Sequence, residues 1–70
     1  MKTAVYNSEL KILTITGIQT YNVAITIAEQ TYRTISENGS VVLSNIEVSE
    51  GESVKIEEII DSTIIIEATT

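Results

Sequence analysis

The strict alternation of apolar and polar side chains in residues 21–28 constrains the fold more than any other feature of the sequence. Tyr21, Val23, Ile25 and Ile27 occupy every second position, with polar or small residues between them. Alternate side chains of a β-strand point to opposite faces of the sheet. The pattern therefore predicts a half-buried strand whose apolar face, including Tyr21, lies in the core.

The overall choice of residues extends this prediction to the whole chain. Ile, Val and Thr together supply 29 of the 70 residues, whereas Leu occurs three times. β-branched side chains lose rotamer freedom in helices and pack well on a pleated sheet, so this bias favours strands. Six or seven short strands fit between turn signals spaced about 8–12 residues apart. We therefore predict one all-β domain over residues 1–70, either a small antiparallel β-sandwich or a small barrel.

Glycine and asparagine mark the predicted turns. Asn38-Gly39 supplies the positive φ angles that a two-residue hairpin turn requires, between strands predicted at 30–36 and 40–44. A strand at 10–16 ends at Gly17, and residues 49–52 form a further turn. Residues 53–60 fit two interpretations. Val54, Ile56 and Glu58 alternate as in a strand, which we favour, although Ile56, Ile59 and Ile60 also fit one face of a short helix.

A longer stretch, residues 22–51, resembles a known group of domains. It contains a strand, a short aromatic-bearing strand, the Asn-Gly turn, a Leu-x-Asn-Ile-x-Val strand and a glycine turn. This order is similar to transthyretin-like and other immunoglobulin-like β-sandwich modules, including those of phage capsid-decorating and fibre proteins. The resemblance implies a sandwich fold and a role in a virion or surface assembly. The Cys pair and Trp of antibody domains are absent.

The chemistry that the chain lacks narrows its function. Without His or Cys, the commonest general base, thiol nucleophile and soft metal ligands are missing. We therefore expect no enzyme activity and no cofactor. The net charge is −6, and the four basic residues are scattered, which argues against nucleic-acid and anionic-membrane partners. No apolar run resembles a signal peptide, so synthesis in the cytoplasm, with possible assembly into a virion, is expected.

An acidic stretch covers residues 47–61. Glu50, Glu52, Glu57 and Glu58 are its main candidates for an acidic binding face, which would meet a basic partner or mimic nucleic acid. A Ca²⁺ site of oxygen ligands near the Glu50-Gly51-Glu52 turn is a second interpretation. The third is a solvated surface that keeps a β-rich protein soluble by charge repulsion.

The terminal apolar segment is the main candidate interface. Ile64, Ile65 and Ile66 place apolar side chains on both faces of a predicted strand at 63–68. An apolar edge strand without Pro or Lys is normally covered by another chain; alternatively, the strand is central and buried on both faces. Tyr32 and Arg33 are further candidates, because Tyr and Arg are enriched in interface hot spots.

These observations predict a non-enzymatic structural protein that acts through protein–protein contacts. Its expected partners are copies of itself, in a homo-oligomer, or a larger protein assembly such as a virion. An acidic regulatory module that inhibits a nucleic-acid-handling protein is the first alternative. A carbohydrate-binding or adhesive module is the second, although the chain has no Trp and few aromatic residues.

Overall fold

The computed structural model describes residues 1–68, of which Ala68 is described for its backbone only. None of these residues forms a helix long and apolar enough to cross a membrane. They form seven strands, in agreement with the all-β prediction: β1 (Thr3–Asn7), β2 (Ile12–Thr16), β3 (Asn22–Ile27), β4 (Gln30–Ile35), β5 (Ser40–Ser44), β6 (Ser53–Glu57) and β7 (Ser62–Ala68).

The seven strands form one continuous sheet that curls into a nearly closed barrel. Their order is β4-β3-β6-β7-β1-β2-β5. Neighbouring strands are antiparallel except β1 and β7, which are parallel. The sheet is therefore mixed, and of the two predicted architectures the small barrel is confirmed. β7 pairs with β6 through Ser62–Ile65 and then with β1 through Ile66–Ala68.

The barrel stays open between its two end strands, β4 and β5. A hairpin joins them, in which Glu37 and Ser40 exchange backbone hydrogen bonds of 2.9 Å. Asn38 and Gly39 have φ angles of +53° and +78°, so the predicted Asn-Gly turn is confirmed. The pairing with β5 is confined to this one bridge, and the Ser36 amide donates on the β3 side, to the Tyr21 carbonyl at 2.8 Å. The two strands therefore separate immediately beyond the turn.

The core consists of side chains that point inward from all parts of the curled sheet. β-branched residues dominate it, as their alternation along each strand predicts. Thirteen buried side chains form one cluster: Ala4, Tyr6, Leu13, Ile15, Ile18, Val23, Ile25, Ile27, Val41, Ile46, Val54, Ile56 and Ile66.

Of the two interpretations of residues 53–60, the strand is confirmed, since β6 covers Ser53–Glu57. Val54 and Ile56 are completely buried, whereas Ile59 and Ile60 are 82% and 72% exposed beyond the end of β6. A helix would have buried Ile56, Ile59 and Ile60 on one face. The prediction for Tyr21 is wrong, because β3 begins at Asn22 and the Tyr21 side chain is 64% exposed. The position of Tyr21 continues the apolar alternation, but it precedes the first residue of β3.

Tyr6 ties the core to the segment that follows β5. Its hydroxyl donates a buried 2.6 Å hydrogen bond to the carbonyl oxygen of Ile46, whose side chain is itself buried. Residues 45–48 form no regular strand and begin with a bend at Asn45, whose φ is +59°, so this bond helps to hold them against the barrel.

Replacing Tyr6 with Phe is expected to lower the free energy of unfolding by about 1–2 kcal/mol, because it leaves the buried carbonyl of Ile46 without that donor. Equilibrium urea denaturation measures the change. Tyr32→Phe is the matched control, since the Tyr32 hydroxyl donates to Gln30 on the surface at 3.0 Å. An equal loss in both variants would contradict the structural role assigned to the Tyr6 hydroxyl.

Candidate interaction surface

The three terminal isoleucines occupy a central strand and not an edge. The first half of β7, Ser62–Ile65, pairs with β6, and the second half, Ile66–Ala68, pairs with β1, so β7 is an internal strand of the sheet. Ile66 is buried, Ile64 is half-buried and points inward, and Ile65 is 53% exposed on the outer face. The open-edge interpretation of this segment is therefore wrong, and only Ile65 of the three presents a large apolar surface to a partner.

Tyr32 and Arg33 point to opposite faces of β4. Tyr32 is half-buried against the core, so it offers a partner only part of its ring. Arg33 is exposed and lies opposite Ala24, which in turn lies opposite Glu57 on β6. The small side chain of Ala24 leaves a shallow groove of about 610 Å³ between these two charged residues.

The four candidate carboxylates do not form one acidic face. Glu50 and Glu52 lie in the turn before β6, whereas Glu57 and Glu58 follow at its other end. At about 3.3 Å per residue, the five residues of β6 separate the two pairs by more than 10 Å. No three acidic side chains in the described part of the chain lie close enough together to hold a metal ion.

Glu58 differs from the other three candidate carboxylates because it is buried and paired with Lys2. Its side chain is only 2% exposed, and its Oε1 atom lies 2.6 Å from Nζ of Lys2. Its Oε2 atom accepts hydrogen bonds from the backbone amides of Gln19 and Thr20, at 2.9 and 3.2 Å. Burial by itself would raise the pKa of Glu58, but Lys2 and the Gln19 amide together hold it below its ordinary value. The carboxylate thus ties β1, the loop after β2 and the end of β6 together.

An uncharged face covers the outside of β1, β2 and β5. The register aligns three cross-strand rows there, and none of their side chains is charged although the chain carries 14 charged residues. Val42 is 58% exposed, and Leu10, in the adjoining turn, is 65% exposed. Glu67 on β7 borders this face. The uncharged face comprises Thr3, Val5, Asn7, Ile12, Thr14, Thr16, Ser40, Val42 and Ser44.

The edge of β5 adjoins the uncharged face. β5 pairs only with β2 among the described strands, so its other side is open along Val42–Ser44. A shallow depression of about 250 Å³ lies on the uncharged face, lined by Val5, Leu10 and Thr14 among others. Exposed apolar patches and open strand edges are both surfaces that other protein chains bind.

Sequence reasoning missed this face although its signal is present in each strand. The residues that alternate with the core side chains are Thr, Val and Asn in β1, Ile and Thr in β2, and Ser and Val in β5. Each strand separately is unremarkable. Only the pairing β1-β2-β5 brings the three uncharged sides together, and that pairing is not readable from local pattern.

Comparisons of the chain with protein-family models, with curated protein sequences and with solved structures found no match.

Proposed function

We propose that this chain is a non-enzymatic structural protein that packs against other protein chains in a larger assembly. The observation that carries the proposal is the uncharged face, which exposes Val42 and Leu10 beside an open strand edge. Interface cores are depleted in charged residues, and exposed apolar patches on soluble proteins commonly mark contact sites. The chain has a net charge of −6. A protein partner that packs against the uncharged face therefore removes water from fewer charged groups than a partner that packs against a charged part of the surface.

A virion is the assembly we propose first, with the chain as a capsid-decorating or fibre component. The reason is the resemblance of residues 22–51 to β-modules of such proteins. The alternative of an acidic inhibitor is less well supported, because Glu58 is buried in an ion pair and the remaining carboxylates lie at opposite ends of β6.

Substitution of Thr14 by Lys at the centre of the uncharged face is expected to keep the protein out of its assembly. Thr14 points outward between Val5 and Val42, so the lysine side chain reaches solvent in the free protein but is buried at a contact. Tagged protein is expressed in its natural source, and the virion and filament fractions are separated by density. We expect the particle-bound amount to fall about tenfold or more, the effect of a loss of about 1.4 kcal/mol or more.

Thr31→Lys is the matched control, because it makes the same charge change on an exposed outer position of β4. It is expected to enter the particle fraction like the original protein. The proposal fails if the unmodified protein is absent from every particle fraction, or if both lysine variants enter it to the same extent.

A further inference from the structure

The hydrogen-bond pattern of β5 shows which of its backbone amides and carbonyls are open to another chain. Ser40 uses both its amide and its carbonyl for Glu37, so these groups point away from β2. Groups alternate in direction along a strand, and those of Val42 and Ser44 therefore also point away from β2. Among the described residues, nothing hydrogen-bonds to the backbone of Val42 or Ser44 on that side. Two donors and two acceptors are thus open at this edge.

The β5 edge also lacks the features that normally prevent pairing with another chain. Its sequence, Ser-Val-Val-Leu-Ser, contains no charged residue and no proline. Natural edge strands are usually protected by such residues or by bulges. The other open strand, β4, does carry a charge, Arg33. A strand of another chain can therefore pair with β5 more readily than with β4.

We infer that two copies of this chain associate through β5, in an antiparallel pair centred on Leu43. This inference rests on the proposed assembly function and names one of its contacts. In this register Val42 of each copy lies opposite Ser44 of the partner subunit, and all the open groups form four backbone hydrogen bonds. A register centred on Val42 would instead place Ser44 opposite Ser40 of the partner subunit, whose groups are already used by Glu37.

A second copy is favoured over an unrelated strand because the contact is self-complementary and uncharged. Each chain carries a net charge of −6, so copies repel one another wherever charged surfaces meet. Pairing through β5 joins the two uncharged faces into one surface, because Ser40, Val42 and Ser44 of each copy belong to that face. A single five-residue strand pair buries less area than a standard interface, so we expect a dissociation constant of about micromolar size.

Light scattering during size-exclusion chromatography, from about 1 to 500 μM protein, tests the association in the range where a micromolar dimer forms. The mass is expected to rise from 7.7 kDa to twice that value with concentration. Val42→Lys places two like charges close together across the proposed contact and is expected to weaken the dimer about tenfold or more. Thr31→Lys, with the same charge change on β4, is expected to dimerise like the original protein.

The register is tested by oxidative cross-linking, because the chain has no native cysteine. Opposed residues of a non-hydrogen-bonded pair lie about 4.5 Å apart between Cα atoms, which is within disulfide range. Leu43→Cys is therefore expected to form a disulfide-linked dimer readily. Val42→Cys is expected to react poorly, since its counterpart lies diagonally across the pair at about 7–8 Å. Circular dichroism before oxidation establishes that both variants are folded.

A monomer at every concentration, or equal dimerisation of Val42→Lys and Thr31→Lys, overturns the inference. Preferential cross-linking through Val42→Cys overturns the register. The particle-fraction experiment tests the proposed assembly function independently of the β5 dimer. Protein that enters particles yet stays monomeric in solution leaves the assembly role intact and removes only the β5 pair.

Discussion

The Glu58→Gln variant is expected to lose about 2–4 kcal/mol of unfolding free energy at pH 7. The substitution removes the negative charge beside Lys2, whose side chain is only 16% exposed, and weakens two backbone hydrogen bonds to the carboxylate. Breaking one side of a buried ion pair is costly because the remaining charge is left without a partner. The expected loss is below that of a fully buried pair because Lys2 retains access to water. Equilibrium urea denaturation measures it.

The same carboxylate predicts a specific dependence on pH. The pKa of Glu58 in the folded protein lies below its ordinary value of 4.5, so the folded state favours the ionised form. Its stabilising contribution is therefore complete above about pH 4.5 and is lost as the pH falls through the folded-state pKa. The difference in unfolding free energy between the original protein and Glu58→Gln should accordingly shrink as the pH is lowered from 7 towards 3.

Glu57→Gln is the control for both measurements. Glu57 is the preceding residue, its side chain is 43% exposed, and its nearest cation, Lys55, is 3.9 Å away. Exposed pairs of this kind contribute little to stability. Equal losses for Glu57→Gln and Glu58→Gln, or a difference that grows as the pH falls, would contradict the buried role of Glu58.

Ile66→Ala is expected to destabilise the fold by about 2–5 kcal/mol, the cost of a large-to-small substitution in a packed core. Ile66 is 1% exposed on β7, the strand that connects β6 to β1 in the barrel wall. Small domains have only about 5–15 kcal/mol of stability, so the variant is expected to be partly unfolded at moderate urea concentrations. Urea titration followed by circular dichroism gives the difference.

Ile65→Ala is the matched control, because the same residue type is removed from the next position on the opposite face. Ile65 is 53% exposed, and we expect its loss to change stability by less than about 1 kcal/mol. If Ile66→Ala does not fold, Ile66→Val gives a measurable value, with an expected loss of about 0.5–1.5 kcal/mol. Similar effects at positions 65 and 66 would contradict the inward and outward directions assigned to β7.

Local sequence pattern was a good guide to the strands and a poor guide to their neighbours. The alternation of Val23, Ile25 and Ile27 predicts both a strand and its buried face, because side-chain direction in a strand depends only on position along it. The same reasoning failed for Tyr21, which continues the alternation but precedes the first residue of β3.

Which strand lies beside which depends on long-range pairing, and this decided the candidate surfaces. The Thr63–Glu67 segment has the composition of an unprotected edge, yet it lies inside the sheet, with its first residues paired to β6 and its last residues paired to β1. The edge at β5 exists because its pairing with β4 is confined to the bridge between Glu37 and Ser40. Burial of Glu58 likewise depends on Lys2, which is distant in the sequence.

The sequence by itself therefore determined the all-β class, the Asn38-Gly39 turn and the inward side of most strands. These follow from backbone preferences and from the two-residue repeat of a strand, which act between near neighbours. The tertiary structure alone decided that the sheet is mixed, that β4 and β5 are its open ends, and that three uncharged strand sides adjoin. Those outcomes depend on hydrogen bonds and packing between residues far apart in the chain, for which local pattern carries no information.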